Sequence, residues 1–246
     1  MSSRLSELSL VLPAHNEVEN IRWLLPHLAA TLPRLADRFE LVLVDDGSTD
    51  GTGDEARALA ERHSLAITVV RHDVKSGYGA TVGDGLRAAR LGHVAFTDAD
   101  GQFEVADFAL LIPLLEAADL VGGWREERRD AAMRSVVSWV FNTLIMLLYR
   151  LPYRDIDCAM KVMRREVLDT LTLDARSALI NTELYCKARH AGFRIAQCPV
   201  PHHPRRAGRR SGARPRAIAR AVKELIVFRW TMRRSLPRRT HSRPDA

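Results

Sequence analysis

Two apolar patterns alternate through the first half of the chain. Residues 8–13 and 39–45 are β-branched-rich apolar runs that read as buried strands, and 67–71, 93–98 and 119–123 are shorter runs of the same kind. Between them the apolar residues recur at helical spacing. Residues 17–36 place Ile21, Leu24, Leu25, Leu28 and Leu32 on one stripe, and 52–62, 80–91 and 105–117 are further helical stretches. The 52–62 stretch opens with Thr52-x-x-Glu55, the signature of a capping box. This alternation, unbroken to residue 123, predicts an α/β fold with a mostly parallel central sheet flanked by helices on both faces. Ligands of such sheets sit beyond the carboxyl ends of the strands.

After Trp124 the alternation stops. A charged loop over 125–134 leads to an apolar helix over 135–149, a strand or loop over 155–163, a helix over 177–191 and a strand over 193–200. A basic loop punctuated by Gly and Pro follows over 202–215. Residues 218–236 then carry Ile218, Ala221, Val222, Leu225, Phe228 and Met232 at helical spacing. No linker long enough to separate two folding units is visible. The expected organisation is therefore one domain over 1–212 with a basic amphipathic tail over 213–246.

The composition, with 46% hydrophobic and 27% charged residues, is that of a globular protein rather than a disordered one. The net charge of +7 conceals an asymmetry. Residues 205–243 hold fourteen Arg or Lys against one acid, Glu224, whereas residues 1–204 hold 23 bases and 28 acids. Such a tail suits phosphate, whether of nucleic acid, an anionic lipid surface or a phosphorylated substrate. Nucleic acid is the poorest fit, because only Phe228 and Trp230 interleave with the basic run as stacking platforms. Three cysteines, Cys158, Cys186 and Cys198, are too few and too widely spaced for a disulfide framework or a zinc site, and read as buried thiols. The polar start of the chain predicts no signal peptide. The uncharged stretch 135–149 is shorter than the roughly 18–20 residues of a membrane span. It suits either core packing or a helix lying in the membrane interface.

The candidate chemistry lies at two strand ends. One run finishes with Asp45-Asp46 and continues Gly-Ser-Thr-Asp-Gly-Thr; another finishes Asp98-Ala99-Asp100, followed by Gly101-Gln102. Carboxylates so spaced beyond a strand can reach a hard divalent cation, and each cluster taken singly also fits a solvated turn.

These segments carry a resemblance. LVLPAHNE, LVLVDDGSTDGT, GYGATVGDGLRAA, FTDADGQF, RDIDCAMKVMRREVL and the run from Asn181 to Gly212 occur in the order found in glycosyltransferase family 2. Together they span about 8–212, and the branch they most resemble is that of the dolichol- and polyprenyl-phosphate sugar synthases. The resemblance implies a GT-A fold that binds a nucleotide-sugar donor. By it, Pro13, Ala14, His15, Asn16 and Glu17 line the nucleotide pocket, with His15 standing where relatives commonly have Tyr. Asp46 would contact base or ribose, Asp98 and Ala99 lie near the nucleotide, and Gly77 and Gly79 match a stretch where backbone approaches the ligand. Asp100 and Gln102 would hold Mg²⁺ or Mn²⁺ on the diphosphate. The implied catalytic set is Asp98, Asp100, Arg125 and Arg205, and the implied acceptor-phosphate set is Arg125, Arg134 and Arg205.

Chemistry distinguishes the acceptors. A sugar hydroxyl needs a positioned carboxylate base, whereas a lipid phosphate is already ionised and needs cations, which Arg supplies in bidentate form. The expected reaction is metal-dependent, inverting transfer of a sugar to a polyprenyl phosphate in one in-line displacement. The alternative is a family 2 transferase acting on a hydroxyl of a cell-wall glycan or small molecule, with Asp155 or Glu183 as base. Asp157, Cys158 and Ala159 depart from the Thr-Ser-Gly common in relatives. His202 matches a family His and suits either diphosphate contact or loop packing. The expected location is cytoplasmic, peripheral on the inner face of the cell membrane. Attachment there would come from helix 135–149 and the basic tail, or from a separate membrane-protein partner.

Overall fold

Strand β1 (Leu5–Ala14) alternates Leu8, Leu10 and Leu12 with Val11, and β2 (Ala36–Asp46) alternates Leu41 and Leu43 with Val42 and Val44. Because successive side chains point to opposite faces, the two sets enter two separate cores. The leucine set packs with α1 (Val18–Leu35) and α2 (Thr52–Arg62), and the valine set packs with α3 (Tyr78–Ala88). The result is a sheet buried on both sides, as its near-continuous apolar strands require.

The computed structural model describes residues 4–126, 149, 151–207 and 228. Its contacts divide the chain into Met1–Arg209 and Arg210–Ala246. Of the second unit only Phe228, a half-buried helical residue, is described. The tail helix, the apolar helix 135–149 apart from helical Tyr149, and Arg134 lie outside the described residues.

The seven strands are β1, β2, β3 (Ile67–His72), β4 (His93–Phe96), β5 (Leu120–Arg125), β6 (Lys161–Arg164) and β7 (Ile195–Val200), in the order β3-β2-β1-β4-β6-β5-β7. All neighbouring pairs are parallel except those of β6, which runs antiparallel between β4 and β5. Two consequences fix the site. The order reverses between β1 and β4, which opens a crevice at the strands' carboxyl ends. The reversed strand also starts at that edge, with Lys161 opposite both Phe96 and Gly122.

Two local expectations, the 105–117 helix and the capping box, are corrected, and the 155–163 stretch is resolved. The 105–117 stretch is a 3₁₀ turn (Val105–Asp107), a single α turn, α4 (Phe108–Leu111), and a second 3₁₀ turn (Ile112–Glu116). Pro113 lacks the N–H an α-helix needs there. The 155–163 stretch is mostly loop, with β6 beginning only at Lys161 and leading into a short helix, α5 (Arg165–Thr170). The capping box does not form. Thr52 Oγ1 donates to Asp50 Oδ1 at 2.6 Å and Asp50 Oδ1 accepts the Thr52 amide at 3.0 Å, while Glu55 pairs with Arg22 at 2.9 Å. The 177–191 pattern becomes α6 (Leu179–His190). Among the described residues no helix is long and apolar enough to cross a membrane. All three cysteines are free thiols, with Cys158 and Cys186 buried and Cys198 half-buried.

Helix α3 reaches the sheet through Gly85. A Cβ there would lie 2.3 Å from Val11 Cγ1 and 3.0 Å from Val44 Cγ2. Gly85→Val should therefore lower stability by about 1–3 kcal/mol through overpacking, and Val11→Ala should recover part of the loss. Thermal melts of the single and double variants check this; equal melting of Gly85→Val and the parent would refute the close contact.

Candidate functional site

The floor of the crevice is made by the loops that follow β1 and β2. Pro13 and Ala14 are still strand residues, paired with Val44 and Asp45 and buried, so they can face a ligand only through backbone. Asn16 takes a left-handed φ of 56°, a conformation Asn tolerates better than most residues. Its amide donates to Ser48 Oγ (2.9 Å) and its Oδ1 accepts the Thr49 amide (2.9 Å). The Glu17 amide donates to Thr52 Oγ1 (2.9 Å) and the Val18 amide to Asp50 Oδ2 (3.1 Å). His15 Nδ1 lies 2.7 Å from the Asp46 carbonyl, which can only accept, so Nδ1 carries the proton. These bonds lock the loop after β1 and the Gly- and Asp-rich loop after β2 into one surface.

Asp46 lies on that surface but is bound within the protein. Its Oδ1 accepts from His72 Nδ1 (2.8 Å) and the Ser76 amide (2.7 Å), and its Oδ2 from the Gly77 amide (3.0 Å). Burial alone would raise this carboxyl, but His72 and the two amides hold it below its ordinary range. His72 Nε2 continues to Asp84 on α3 at 3.0 Å. The glycines also lie close to another part of the chain. A Cβ on Gly79 would lie 2.3 Å from the Ser177 carbonyl and 2.5 Å from that of Ala175, and the Gly79 amide donates to Arg176 O (3.1 Å). The close approach here is to the chain's own 175–177 segment. Glu183, 2% exposed, holds that segment by accepting the amides of Asp174 (3.0 Å) and Ala175 (2.8 Å), with Lys187 paired to its other oxygen at 2.6 Å.

Beyond β4, Asp98 and Asp100 face the crevice from one side. Burial first, and then the charge of Asp100, push the Asp98 carboxyl up to about 7. Asp100 Oδ1 accepts the Gln102 amide (3.1 Å), and its Oδ2 lies 3.3 Å from Arg205 Nη1. The other guanidinium nitrogen of Arg205 pairs with Glu17. Arg205 therefore bridges the β1 loop and the β4 loop. It is carried by a strap, 202–207, that lies along the site. The Gln102 side-chain amide donates to His202 Nε2 (3.2 Å) and His203 O (3.3 Å), the His203 amide to Gln102 O (2.9 Å), and Arg205 Nε to Ala207 O (2.7 Å). Arg206 stacks over Trp23 at 3.7 Å from the ring centroid. Ala99 is buried between the two aspartates.

Arg125, at the end of β5, is held by Asp155 in bidentate form. Nε and Nη2 lie 2.6 Å from the two carboxylate oxygens, and the Arg125 amide donates to Oδ2 at 3.1 Å. Asp155 adopts a φ of 39° in this clamp. The structure thus brings together Glu17, Asp98, Asp100, Gln102, His202 and Arg205, and places Asp46, Gly77 and Gly79 in the wall behind them. His72, which holds Asp46 in that wall, and the buried pair Lys161 and Asn181 were not singled out from the sequence.

The donor set suits a hard cation. Asp100 and Gln102 offer oxygen ligands, and Glu17 adds charge beside them. Among the described residues no group of three or more His, Cys, Asp or Glu could hold a metal unaided. Mg²⁺ and Mn²⁺ commonly bind through one or two carboxylates plus substrate phosphates.

The sheet order, with one antiparallel strand beside the switch point, is a GT-A-like fold. The chain belongs to glycosyltransferase family 2, whose profile matches residues 9–172. It is 33% identical over 209 residues to dodecaprenyl-phosphate galacturonate synthase of Rhizobium johnstonii, covering 82% of this chain and 60% of that one. It is 31% identical over 184 residues to undecaprenyl-phosphate 4-deoxy-4-formamido-L-arabinose transferase of Pseudomonas savastanoi pv. phaseolicola, covering 74% of this chain and 55% of that one. The chain thus spans somewhat over half the length of these two relatives. Its fold is similar to that of glucosyl-3-phosphoglycerate synthase from Mycobacterium tuberculosis in complex with Mn²⁺, UDP and phosphoglyceric acid. There the TM-score is 0.67 at 23% identity, over 94% of this chain and 80% of that one. A mannosyltransferase from Pyrobaculum calidifontis in complex with GDP-Man and Mn²⁺ matches with a TM-score of 0.60 at 24% identity, over 85% of this chain and 59% of that one.

Arg205 balances the Glu17 and Asp100 charges where a divalent cation would otherwise do so. Arg205→Ala should lower stability by about 2 kcal/mol, the usual scale for a hydrogen bond to a charged group. Mn²⁺ should raise the melting midpoint of the variant by more than that of the parent, since no guanidinium then competes with it. Thermal melts with and without MnCl₂ decide this; identical Mn²⁺ shifts would show that Arg205 does not balance the acids.

Proposed function

We propose that this chain transfers a sugar from a nucleotide-sugar to a polyprenyl phosphate, with inversion at the anomeric carbon. The observation that carries this reading is the state of the two carboxylates a hydroxyl acceptor would need as base. Asp155 is chelated by Arg125, and Glu183 is buried against two amides and Lys187. An ionised phosphate acceptor needs no such base. The names of the two relatives above, a dodecaprenyl-phosphate and an undecaprenyl-phosphate sugar transferase, support the same acceptor class.

In this reading the loop 13–17 and the Asp46 wall receive the nucleoside, and Asp98 and Ala99 border it. Mg²⁺ or Mn²⁺ held by Asp100 and Gln102 would take up negative charge on the departing diphosphate. Arg205 stands next to those acids and, on leaving Asp100, can hold the acceptor phosphate by bidentate hydrogen bonds. Arg134 is assigned to the same phosphate. Arg125 contributes positive charge to the crevice while its carboxylate partner fixes its orientation. Residues 135–149 and the basic tail would bring the enzyme to the inner face of the cell membrane, directly or through a membrane-protein partner. The polybasic tail alone is worth about 1 kcal/mol per Lys or Arg near an anionic surface. Nucleic acid has no part in this function.

The test incubates purified full chain with MnCl₂, a short-chain polyprenyl phosphate and a panel of radiolabelled nucleotide-sugars. Label extracted into organic solvent from one donor, and released by mild acid, is the expected result. Donor hydrolysis without organic-soluble label would contradict the acceptor.

A further inference from the structure

Strand β3 ends on His72, which stands opposite Asp46 in the β2–β3 register. Successive strand residues point to opposite faces of the sheet, so the two acids that end β2 face apart. Asp45 lies on the α2 side, its Oδ2 3.7 Å from Arg71 Nε. Asp46 lies on the α3 side and meets His72, whose side chain is only 13% exposed. Carboxylates stand at both nitrogens of that ring. Asp46 Oδ1 is 2.8 Å from Nδ1, and Asp84 Oδ2, on α3, is 3.0 Å from Nε2. A carboxylate only accepts, so the ring satisfies both partners when it carries a proton on each nitrogen. The other oxygen of Asp84 pairs with Arg87. An unbroken line of contacts therefore runs from Arg87 through Asp84 and His72 to Asp46.

The donors already on Asp46 decide what remains of it. An ionised carboxylate offers about four acceptor positions, two on each oxygen. Oδ1 accepts from His72 and the Ser76 amide, and Oδ2 accepts from the Gly77 amide. These bonds leave one acceptor position, on Oδ2. The main chain of Asp46 is tied as well, since its carbonyl accepts from His15 in the loop after β1. The segment that supplies the two amides is seated just as closely. A Cβ on Gly47 would lie 2.7 Å from Lys75 N and 2.8 Å from the Val74 carbonyl carbon. Without His72, Oδ1 would keep only the Ser76 amide, and the carboxylate could turn to share its oxygens between the two amides. The ring removes that freedom, and Asp84 removes the freedom of the ring.

We propose that His72, braced by Asp84, is a positioning residue for the nucleotide-sugar site. It holds the Asp46 carboxylate so that Oδ2 accepts one further hydrogen bond, from an N–H or O–H of the donor's nucleoside. This rests on the reading that Asp46 borders the nucleoside. A strand-end histidine and a helix acid, neither of them in the Gly- and Asp-rich loop, thereby set the geometry of that contact.

The test measures binding of UDP, GDP, ADP and CDP to the full chain with MnCl₂ by titration calorimetry and follows the nucleotide bound most tightly. The variants are Asp46→Asn, His72→Phe, Asp84→Ala, Asp84→Asn and the Asp46→Asn/His72→Phe double variant. Asp46→Asn should weaken binding on the order of tenfold, the scale of one hydrogen bond to a charged group. His72→Phe keeps a ring but removes both donors and should weaken binding severalfold. The double variant should bind no more weakly than Asp46→Asn, because His72 acts only through that carboxylate. Asp84→Ala should give a smaller loss, recovered in part by Asp84→Asn, whose amide oxygen still accepts from Nε2. Melting midpoints taken alongside separate packing from positioning, since a purely structural His72 lowers the midpoint and leaves the affinity of the folded protein unchanged. Weakened binding by Asp46→Asn with unchanged binding by His72→Phe overturns the proposal, as do additive losses in the double variant. Unchanged binding by Asp46→Asn, or no binding of any of the four nucleotides by the parent, overturns instead the placement of Asp46 beside the nucleoside. Should His72→Phe fail to fold, Asp84→Ala decides, and unchanged affinity there overturns the proposal.

Discussion

The carboxyl edge of the parallel strands gathers carboxylates, and burying a carboxylate without a donor or counter-charge costs several kcal/mol. That constraint organises the crevice. Asp46 is held by His72 and two amides, Asp155 by Arg125, Glu183 by Lys187 and two amides, and Glu17 and Asp100 by Arg205. Asp98 is reached by Tyr78 and by the more distant charges of Lys161 and Arg125. Apart from the Glu183 set, these pairings join segments 26 or more residues apart in sequence, so neutralising the acids also assembles the loops. The strap at 202–207, the 175–177 segment and the loop before β6 all sit where a counter-charge or donor is required.

Most of the first half of the fold was legible because its elements obey one period each. Residues 52–62 are helical as their spacing implies, and the runs at 39–45 and 67–71 lie within β2 and β3. Elements whose signal is weaker than a tertiary contact were not legible. Strand β6 is only four residues long and contains a lysine, and it pairs because both its neighbours offer edges there. The helical pattern over 105–117 concealed Pro113. The Thr52 and Glu55 spacing promised a capping box, but Asp50 and Arg22 were nearer partners in space.

The candidate site divides along the same line. Asp98 and Asp100 stood out as a carboxylate pair beyond a strand, while Gln102 and Arg205 came from the family resemblance; the structure places Gln102 and Arg205 against Asp100. Gly77 and Gly79 were readable as close-approach positions, but sequence could not say that the approaching group is the chain's own backbone at 175–177. Nor could it say that Arg125 and Asp155, two attractive functional residues, are partners of each other. Ion pairs between residues 30 apart in sequence carry no periodic signal. The bond between the buried Lys161 and Asn181 emerges only from the hydrogen-bond geometry.

In the proposed function the same pairings favour a phosphate acceptor over a hydroxyl acceptor. With Asp155 and Glu183 engaged by Arg125, Lys187 and backbone amides, an acceptor that is already an anion is the better fit than an alcohol that must be deprotonated. The most direct measurement compares a polyprenyl phosphate with the polyprenol of identical chain length as acceptors, under the same donor and MnCl₂. Transfer to the phosphate with none to the alcohol is the result predicted. Comparable transfer to the alcohol would contradict a phosphate acceptor and require one of the paired carboxylates to act as base.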